Sequence, residues 1–156
     1  MALAFLSSAF CIFVVLLISA TTAFADTPAA AGGAGTVVFI PSSFRFADGN
    51  TIVTANLHGT VSGTLSGTWS EQAVLVIHPD GSRTTHAFGT FNVTTPCGAG
   101  SFAFELEAQQ PSATSNLTGN WRSVDQSGNT LTIHTVDTFT TPPNSGTFTY
   151  SGTFSC

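Results

Sequence analysis

Eight acidic side chains are the groups in this sequence best suited to acid–base chemistry. Glu105 and Glu107 are two residues apart, so an extended strand would carry both carboxyl groups on one face. Paired carboxyl groups can serve as acid and base when burial separates their pKa values, whereas on a solvated face they remain surface charges. Glu71 is the other acid that we consider as a catalytic carboxyl, and three Asp residues stand in predicted turns. The acids are Asp26, Asp48, Glu71, Asp80, Glu105, Glu107, Asp125 and Asp137.

Four histidines could bind a metal ion if two or three of them shared one wall. A type I′ turn at Asp80-Gly81 would pair His86 with Leu75 and His78 with Arg83, which sends the two imidazoles to opposite faces. We therefore expect exposed imidazoles and no metal site. Motifs of zinc proteases, serine hydrolases, phosphate loops and dinucleotide-binding folds are also missing, so no catalytic residue is assigned and no cofactor is expected. The histidines are His58, His78, His86 and His134.

Aromatic side chains make up 11% of the residues, which is more than the core of a thin β-sandwich needs. The interior of an eight-strand barrel is either filled by side chains or left with room for one small ligand. Filling is the simpler interpretation, and a pocket walled by the two Trp residues and neighbouring aromatic rings is the functional one. The residues that we predict to line such a pocket are Trp69, Phe88, Phe104, Trp121, Phe148 and Tyr150.

The elements that must position these side chains are strands. From residue 36 onward a period of two runs through the chain, and no stretch shows the 3.6-residue period of a helix. Thr, Val, Ile and Phe dominate, which favours strands with one apolar and one hydroxyl-rich face. We predict an all-β fold, a single antiparallel up-and-down barrel of about eight strands, with a β-sandwich as the alternative. The predicted strands are 37–46, 51–62, 64–70, 73–78, 83–94, 100–109, 115–123 and 129–141, with 145–155 as a ninth or closing strand.

Two pairs of similar motifs suggest an internal repeat. Residues 65–69 read L-S-G-T-W and residues 117–121 read L-T-G-N-W, while L-x-I-H occurs at 75–78 and 131–134. Motifs in one order at similar spacing indicate two related halves. The alternative is that Thr- and Gly-rich strands resemble one another by composition alone.

The first 25 residues are predicted to be a secretory signal peptide rather than part of the fold. An apolar run is followed by small residues that end in the A-x-A site Ala23-Phe24-Ala25. An uncleaved transmembrane anchor is the alternative, and either reading places the remainder outside the cytoplasm. Residues 26–35 are small and Gly-rich, which predicts a flexible linker, so the barrel domain is expected to span residues 36–156. We expect a secreted or periplasmic protein with no membrane attachment after cleavage.

The cysteine count agrees with this compartment. Cleavage would remove Cys11 and leave Cys97 and Cys156, an even number in an oxidising environment. We therefore predict one disulfide between them, with two free buried thiols as the alternative.

Charge excludes one class of partner. Only 7% of residues are charged, and three basic residues against eight acidic ones give a net charge of −5. Proteins that bind the phosphate backbone need clustered Lys and Arg, so we expect no nucleic-acid partner.

One stretch carries a resemblance to a known group of barrels. A G-x-W motif at the start of a strand is a feature of calycins, which include the lipocalins and avidins. Residues 117–121 (L-T-G-N-W), Gly128-Asn129 and residues 131–133 (L-T-I) resemble the first hairpin of the avidins. In composition the chain is similar to secreted bacterial barrels of unknown function that are likened to allene oxide cyclase. The resemblance implies a calycin-like fold but no activity, since Ser123 stands where avidins have a ligand-binding Asn and no cyclase motif is present.

Three functions are compatible with these observations. The first is an exported barrel that binds a small apolar or aromatic molecule, and this is our expectation. The second is a barrel enzyme of the isomerase or cyclase type that uses Glu71 or Glu105 with a neighbouring hydroxyl. The third is a structural or adhesive extracellular module without a ligand, which the nearly charge-free surface would suit. A cavity without buried ionisable groups would favour ligand binding. A buried carboxylate beside a cavity would favour an enzyme, and a solid aromatic core would favour a structural module.

Overall fold

Eight antiparallel strands follow one another around a closed barrel, which confirms the predicted all-β up-and-down fold. The structure, a computed structural model, describes residues 27–124, 128–140 and 144–156, without the side chains of residues 124 and 138–140. Each strand pairs with its neighbours in sequence, and β8 closes the ring on β1. None of the described residues forms a helix that could cross a membrane. The strands are β1 (Ala29–Ala47), β2 (Asn50–Gly63), β3 (Ser66–Ile77), β4 (Arg83–Thr95), β5 (Gly98–Gln110), β6 (Leu117–Val124), β7 (Thr130–Thr140) and β8 (Ser145–Ser155).

The alternation of side chains produces the barrel's two faces. Along β5, every even residue from Phe102 to Gln110 is buried and every odd residue from Ser101 to Gln109 is exposed. Successive side chains of a strand point to opposite faces, so the buried set lines the interior and the hydroxyl-rich set meets water. The barrel core is therefore the sum of the inward rows of all eight strands.

The described residues form eight strands rather than nine, because two of the predicted strands are one continuous strand. Residues 64–70 and 73–78 were predicted as separate strands, but β3 runs without interruption through Glu71 and Gln72. Glu71 pairs with Leu57 on β2 and with Gly89 on β4, so it stands in the middle of the sheet. The sequence predicts a break there because Glu71 and Gln72 are two consecutive polar residues ahead of an apolar run.

The start of the barrel also differs from the prediction. The linker predicted at residues 26–35 was wrong for residues 29–35, which open β1 and pair with β8. A Cβ built on Gly33 would lie 2.7 Å from the Tyr150 ring, and the space at Gly35 is taken by Phe148. These glycines therefore let the rings of Tyr150 and Phe148 on β8 pack closely against β1. Their role is to admit these rings and not to make the segment flexible. The predicted signal peptide, residues 1–25, lies outside the described residues.

The β3–β4 hairpin has a register one residue away from the prediction. His78 accepts a hydrogen bond from the Gly81 N–H and donates one to Ser82, so the turn has three residues with Gly81 at a φ of 83°. Arg83 consequently pairs with Ile77 and His86 with Val74, and the predicted pairs were wrong. The type I′ turn lies instead in the β1–β2 hairpin, at Asp48-Gly49, where φ is 51° and 79°.

The two motif pairs do not occupy equivalent strands. Residues 65–69 and 75–78 lead into and along β3, whereas 117–121 lies on β6 and 131–134 on β7. The shared feature is local: in both G-x-W motifs the Trp is buried in the barrel interior.

The predicted disulfide is present. Cys97, in the β4–β5 turn, is bonded to Cys156, just past β8, with a Cα–Cα distance of 5.9 Å. The bond closes one end of the barrel, the disulfide end, formed by Gly63–Ser66, Thr95–Gly98 and Cys156. The opposite end, the cavity end, is formed by the hairpin tips Ala47–Asn50, Ile77–Arg83 and Gln110–Leu117.

We predict that a Cys97→Ser/Cys156→Ser variant unfolds more easily than the wild type by about 4 kcal/mol, because the cross-link restricts a long loop of the unfolded chain. Urea unfolding followed by Trp fluorescence measures this difference. A reducing agent should lower the midpoint of the wild type and leave that of the double variant unchanged. Equal midpoints for the oxidised wild type and the double variant would contradict the prediction.

Candidate ligand cavity

Five aromatic rings pack across the middle of the barrel, with Trp121 at their centre. Its ring centroid lies 5.8 Å from that of Trp69, 5.2 Å from Phe148, 4.9 Å from Phe91 and 5.6 Å from Phe104. Several of these pairs are tilted or edge-on, the arrangements that aromatic quadrupoles favour. We call this group the aromatic layer. It fills the cross-section of the barrel and separates the disulfide end from the cavity end.

A cavity of about 460 Å³ lies between the aromatic layer and the cavity end. Trp69, Trp121 and Phe148 form its floor, and the side wall consists mostly of aliphatic side chains. Such a volume is within the range of pockets that bind small organic molecules. The aliphatic lining residues are Val37, Val53, Leu57, Ala73, Leu75, Ile77, Leu106 and Leu117.

Two carboxyl groups face one another across this cavity. Glu71 is on the inward row of β3, between Trp69 and Ala73, and is only 6% exposed. Asp137 is on β7, which lies on the opposite side of the eight-strand ring. Both residues line the cavity from opposite walls, and the charge of Asp137 acts on Glu71.

Burial raises the pKa of both groups. Burial, with a smaller contribution from the charge of Asp137, raises the pKa of Glu71 from 4.5 to about 8. Burial likewise raises the pKa of Asp137 from 3.8 to about 7. A charged carboxylate loses its hydration in such a place, and two of them repel each other. At neutral pH the pair therefore retains at least one proton.

Unpartnered polar atoms are concentrated around the cavity. Glu71 Oε2, Asp137 Oδ1, Arg83 Nε and Trp121 Nε1 are all buried without a hydrogen-bond partner in the described part of the chain, and all four side chains line the cavity. A buried polar atom without a partner costs about 1–3 kcal/mol. Gln110, also in the lining, is satisfied through a bond of 2.6 Å from its amide to the Ser115 carbonyl. The cavity thus combines apolar walls with a few polar atoms that a bound molecule could satisfy.

The rim of the cavity carries exposed aromatic groups. A β-bulge between Pro41 and Ser43 changes the alternation of β1, so that Phe44 pairs with the inward residue Val53. Phe44 lines the cavity yet is 64% exposed, and Phe46 beyond it is 83% exposed. Bulges often redirect a side chain beside a functional site. Here the bulge places apolar rings at the entrance.

The structure brings together three of the six predicted pocket residues. Trp69, Trp121 and Phe148 line the cavity. Phe104 and Tyr150 are buried but do not line it: Phe104 belongs to the aromatic layer, and the Tyr150 hydroxyl accepts a hydrogen bond from Leu65. The prediction for Phe88 was wrong, because its even position on β4 faces outward and its side chain is 58% exposed.

The acids and histidines singled out from the sequence lie elsewhere. Glu105 and Glu107 are on the outer face of β5. His86 Nε2 lies 2.8 Å from Glu105 Oε1 in an exposed pair, so Glu105 cannot act inside the barrel. The described residues contain no group of three or more His, Cys, Asp or Glu side chains that could hold a metal ion.

Sequence reasoning did not find Asp137 or Arg83 as site residues, although it considered Glu71. Their inward direction was visible in the alternation: Asp137 continues the row of Ile133 and Thr135, and Glu71 the row of Trp69. The alternation along each strand does not show that β3 and β7 lie opposite each other in the barrel.

Comparison with known proteins adds no relative. No family model matches the chain, no curated protein matches it, and no solved structure matches its fold at a significant level. The function must therefore be argued from the cavity itself.

We predict that the stability of the wild type falls as pH rises from about 5 to 8. Over this interval folded Glu71 keeps a proton that the unfolded chain releases, so the associated stabilisation is complete below pH 4.5 and is lost through the folded pKa of about 8. The shift corresponds to at most about 5 kcal/mol. Urea unfolding at a series of pH values measures the slope.

Glu71→Gln should flatten this slope and should be more stable than the wild type at pH 8, because the amide has no charge to bury. Glu107→Gln, on the outer face of β5, is the matched control and should follow the wild-type curve. An unchanged slope in Glu71→Gln would show that the buried carboxyl does not titrate as described.

Proposed function

We propose that this chain is an exported barrel that takes one small, mainly apolar molecule into its interior. The observation that carries the proposal is the cavity: apolar walls, an aromatic floor and four unpartnered polar atoms enclose about 460 Å³. The disulfide supports a location outside the cytoplasm, in the secreted or periplasmic space, because such bonds persist in oxidising compartments. The eight-strand closed barrel is also consistent with a calycin-like architecture, in which a ligand enters the open end of the barrel.

The distribution of apolar surface supports binding over a purely structural role. A structural module gains stability by filling its core, and the half of this barrel near the disulfide end is filled by large rings. In the other half Ala73 lines the cavity, and it pairs with Ala55 on β2 and Ala87 on β4, so small side chains occupy this level of three neighbouring strands. Unfilled apolar volume lowers stability, by about 24 cal/mol per Å³ in a well-studied series of cavities. A solid core would have suited an adhesive module better.

The position of the rim supports an entry route. Phe44 and Phe46 are exposed at the cavity end, where an apolar ligand would first meet the protein. Exposed large apolar groups cost little singly but together mark contact sites for other molecules. The floor made by Trp69 and Trp121 would then hold the ring or chain of the ligand.

A second candidate function is catalysis of the isomerase or cyclase type, and it meets the criterion set from the sequence, a buried carboxyl group beside a cavity. Binding is proposed first because both functions require the uptake of a molecule into this cavity. A carboxyl group with a pKa of about 8, beside one with a pKa of about 7, can supply one proton and accept another near neutral pH. Strongly shifted pKa values of buried carboxyl groups in a cleft mark candidate functional sites. In this reading Glu71 and Asp137 exchange protons with a carbon or oxygen atom of the bound molecule.

We predict that the protein binds naphthylmethanol, a neutral aromatic alcohol, with a Kd in the micromolar range, because the apolar ring matches the cavity and the hydroxyl can reach an unpartnered atom. Isothermal titration calorimetry measures the affinity. Leu75→Trp, which places an indole in the cavity, should weaken binding at least about tenfold by occupying its volume.

The matched control is Val74→Trp, which places the same ring on the outer face of β3, where Val74 is 43% exposed. It should bind as the wild type does. Failure of the wild type to bind, or equal loss in the two Trp variants, would argue against the cavity as the binding site.

For the catalytic candidate, we predict that the protein accelerates deuterium exchange at the carbon next to the carbonyl of tetralone, a bicyclic ketone, because Glu71 and Asp137 can shuttle the proton. Proton NMR in heavy water measures the rate. The acceleration should disappear in Glu71→Gln and persist in Glu107→Gln. Exchange at the protein-free rate with the wild type would exclude proton transfer from this pair to this class of ketone.

A further inference from the structure

We propose that the natural occupant of the cavity carries a protonated amine, which the carboxyl groups of Glu71 and Asp137 bind between them, and that ligands with a carboxylate are rejected. The inference rests on the proposed binding function and specifies the chemistry of the ligand. It follows from which charges face the cavity, from what these charges require, and from the rings that surround them.

Among the residues that the structure describes, the charged groups of the cavity wall are two acids and one base. Glu71 extends from β3 and Asp137 from β7, while Arg83 is the cationic residue of the lining, at the start of β4. Within the part of the chain that the structure describes, neither acid forms an ion pair with Arg83 or with any other base at 4 Å or less. The other polar side chains of the lining, Thr85 and Gln110, are uncharged. Among the described residues, the two carboxyl groups therefore have no counterion within 4 Å.

Two buried carboxyl groups without a counterion need positive charge from elsewhere. In the empty cavity a proton fills this need, which is the reason that burial raises both pKa values. A ligand ammonium group can replace that proton, because one cation between two carboxylates gains the attraction of both. The free oxygens Glu71 Oε2 and Asp137 Oδ1 would accept its N–H groups.

The rings next to the acids also suit a cation. Trp69 precedes Glu71 by two residues on the same inward row, and Trp121 and Phe148 complete the floor. The negative faces of Trp and Phe rings attract ammonium groups, most strongly where water is excluded. A hydrocarbon body would then occupy the aliphatic wall. The wall and floor together fit an amphipathic amine of modest size.

A carboxylate ligand meets the opposite situation. It would enter a cavity that contains two acids, with Arg83 as the attractive group of the lining. Its charge would force both acids to remain protonated, so its affinity should fall steeply as pH rises above 7. An arginine-bound anion is the competing arrangement, and the experiment separates the two.

The test uses three probes with one ring system: naphthylmethylamine, naphthylmethanol and naphthoic acid, titrated into the full chain at pH 7 by calorimetry. We expect the amine to bind at least about tenfold more tightly than the alcohol, and the acid more weakly than both. In buffers of different ionisation enthalpy, the amine should release a proton from the carboxyl pair and the alcohol should not. An alcohol that binds as tightly as the amine, or an acid that binds most tightly, would overturn the inference.

Substitutions of the two acids test whether they cause the preference for the amine over the alcohol. Glu71→Gln and Asp137→Asn should each bring the ratio of amine affinity to alcohol affinity to within about threefold of one, because each removes one of the two carboxylates that attract the ammonium group. Glu107→Gln should keep the full preference. A preference that survives in both Glu71→Gln and Asp137→Asn would refute the role of these carboxyl groups.

The outcomes also distinguish the two proposals. If none of the three probes binds, the proposed binding function fails and the inference fails with it. If the alcohol binds without any advantage for the amine, the cavity is a binding site and only the assignment of an ammonium ligand is wrong.

Discussion

Closure of the sheet is the constraint on which the rest of this structure depends. Once β8 pairs with β1, every second side chain of each strand is confined to one interior of fixed volume. No rearrangement of loops can relieve a poor fit there, because the walls are held by hydrogen bonds from strand to strand. What the protein can do is therefore decided by how large and small, apolar and polar residues are distributed along the inward rows.

The distribution divides the interior into two halves of different character. Toward the disulfide end, Phe91, Phe102 and Trp121 are among the large side chains that fill the cross-section, and glycines such as Gly33 admit the rings of neighbouring strands. Toward the cavity end, alanines and short aliphatic residues leave volume, and the acids Glu71 and Asp137 project into it. The filled half stabilises the fold and the open half carries the polar groups.

Much of the fold could be predicted from the sequence, because alternation with a period of two is a local property that each strand displays by itself. The disulfide followed from counting cysteines. The β3–β4 register was missed because it depends on whether the turn has two or three residues, and Asp80-Gly81 suits both. The first strand was missed because Gly33 and Gly35 look flexible in isolation and become necessary only when Tyr150 and Phe148 lie against them.

The site was harder to predict for a related reason. Trp69, Trp121 and Phe148 were found through residue type, since large rings on inward rows have few other places to go. Glu71 looked like a break between strands, and Asp137 like one more polar residue of a Thr-rich segment. Glu71 and Asp137 share one site because β3 and β7 lie on opposite sides of the closed barrel. The spacing of residues along the chain does not show which strands lie opposite each other. Phe88 shows that residue type alone is not sufficient, because this aromatic side chain lies on the outer face of the barrel.

The location of the cross-link has a consequence for how the molecule moves. Cys97 and Cys156 join two chain segments at the disulfide end. At the other end, the described pairing of β1 with β8 ends at Val38 and is followed by the hydrogen bond from the Phe39 N–H to the Asn144 carbonyl, after which β1 continues beside β2. We therefore expect backbone fluctuations to be smallest near the disulfide and to increase along the barrel axis toward the cavity end. Amide protons near the disulfide should exchange slowest, and in our proposal the ligand enters and leaves by transient separation of the hairpins at the cavity end while the disulfide end stays closed.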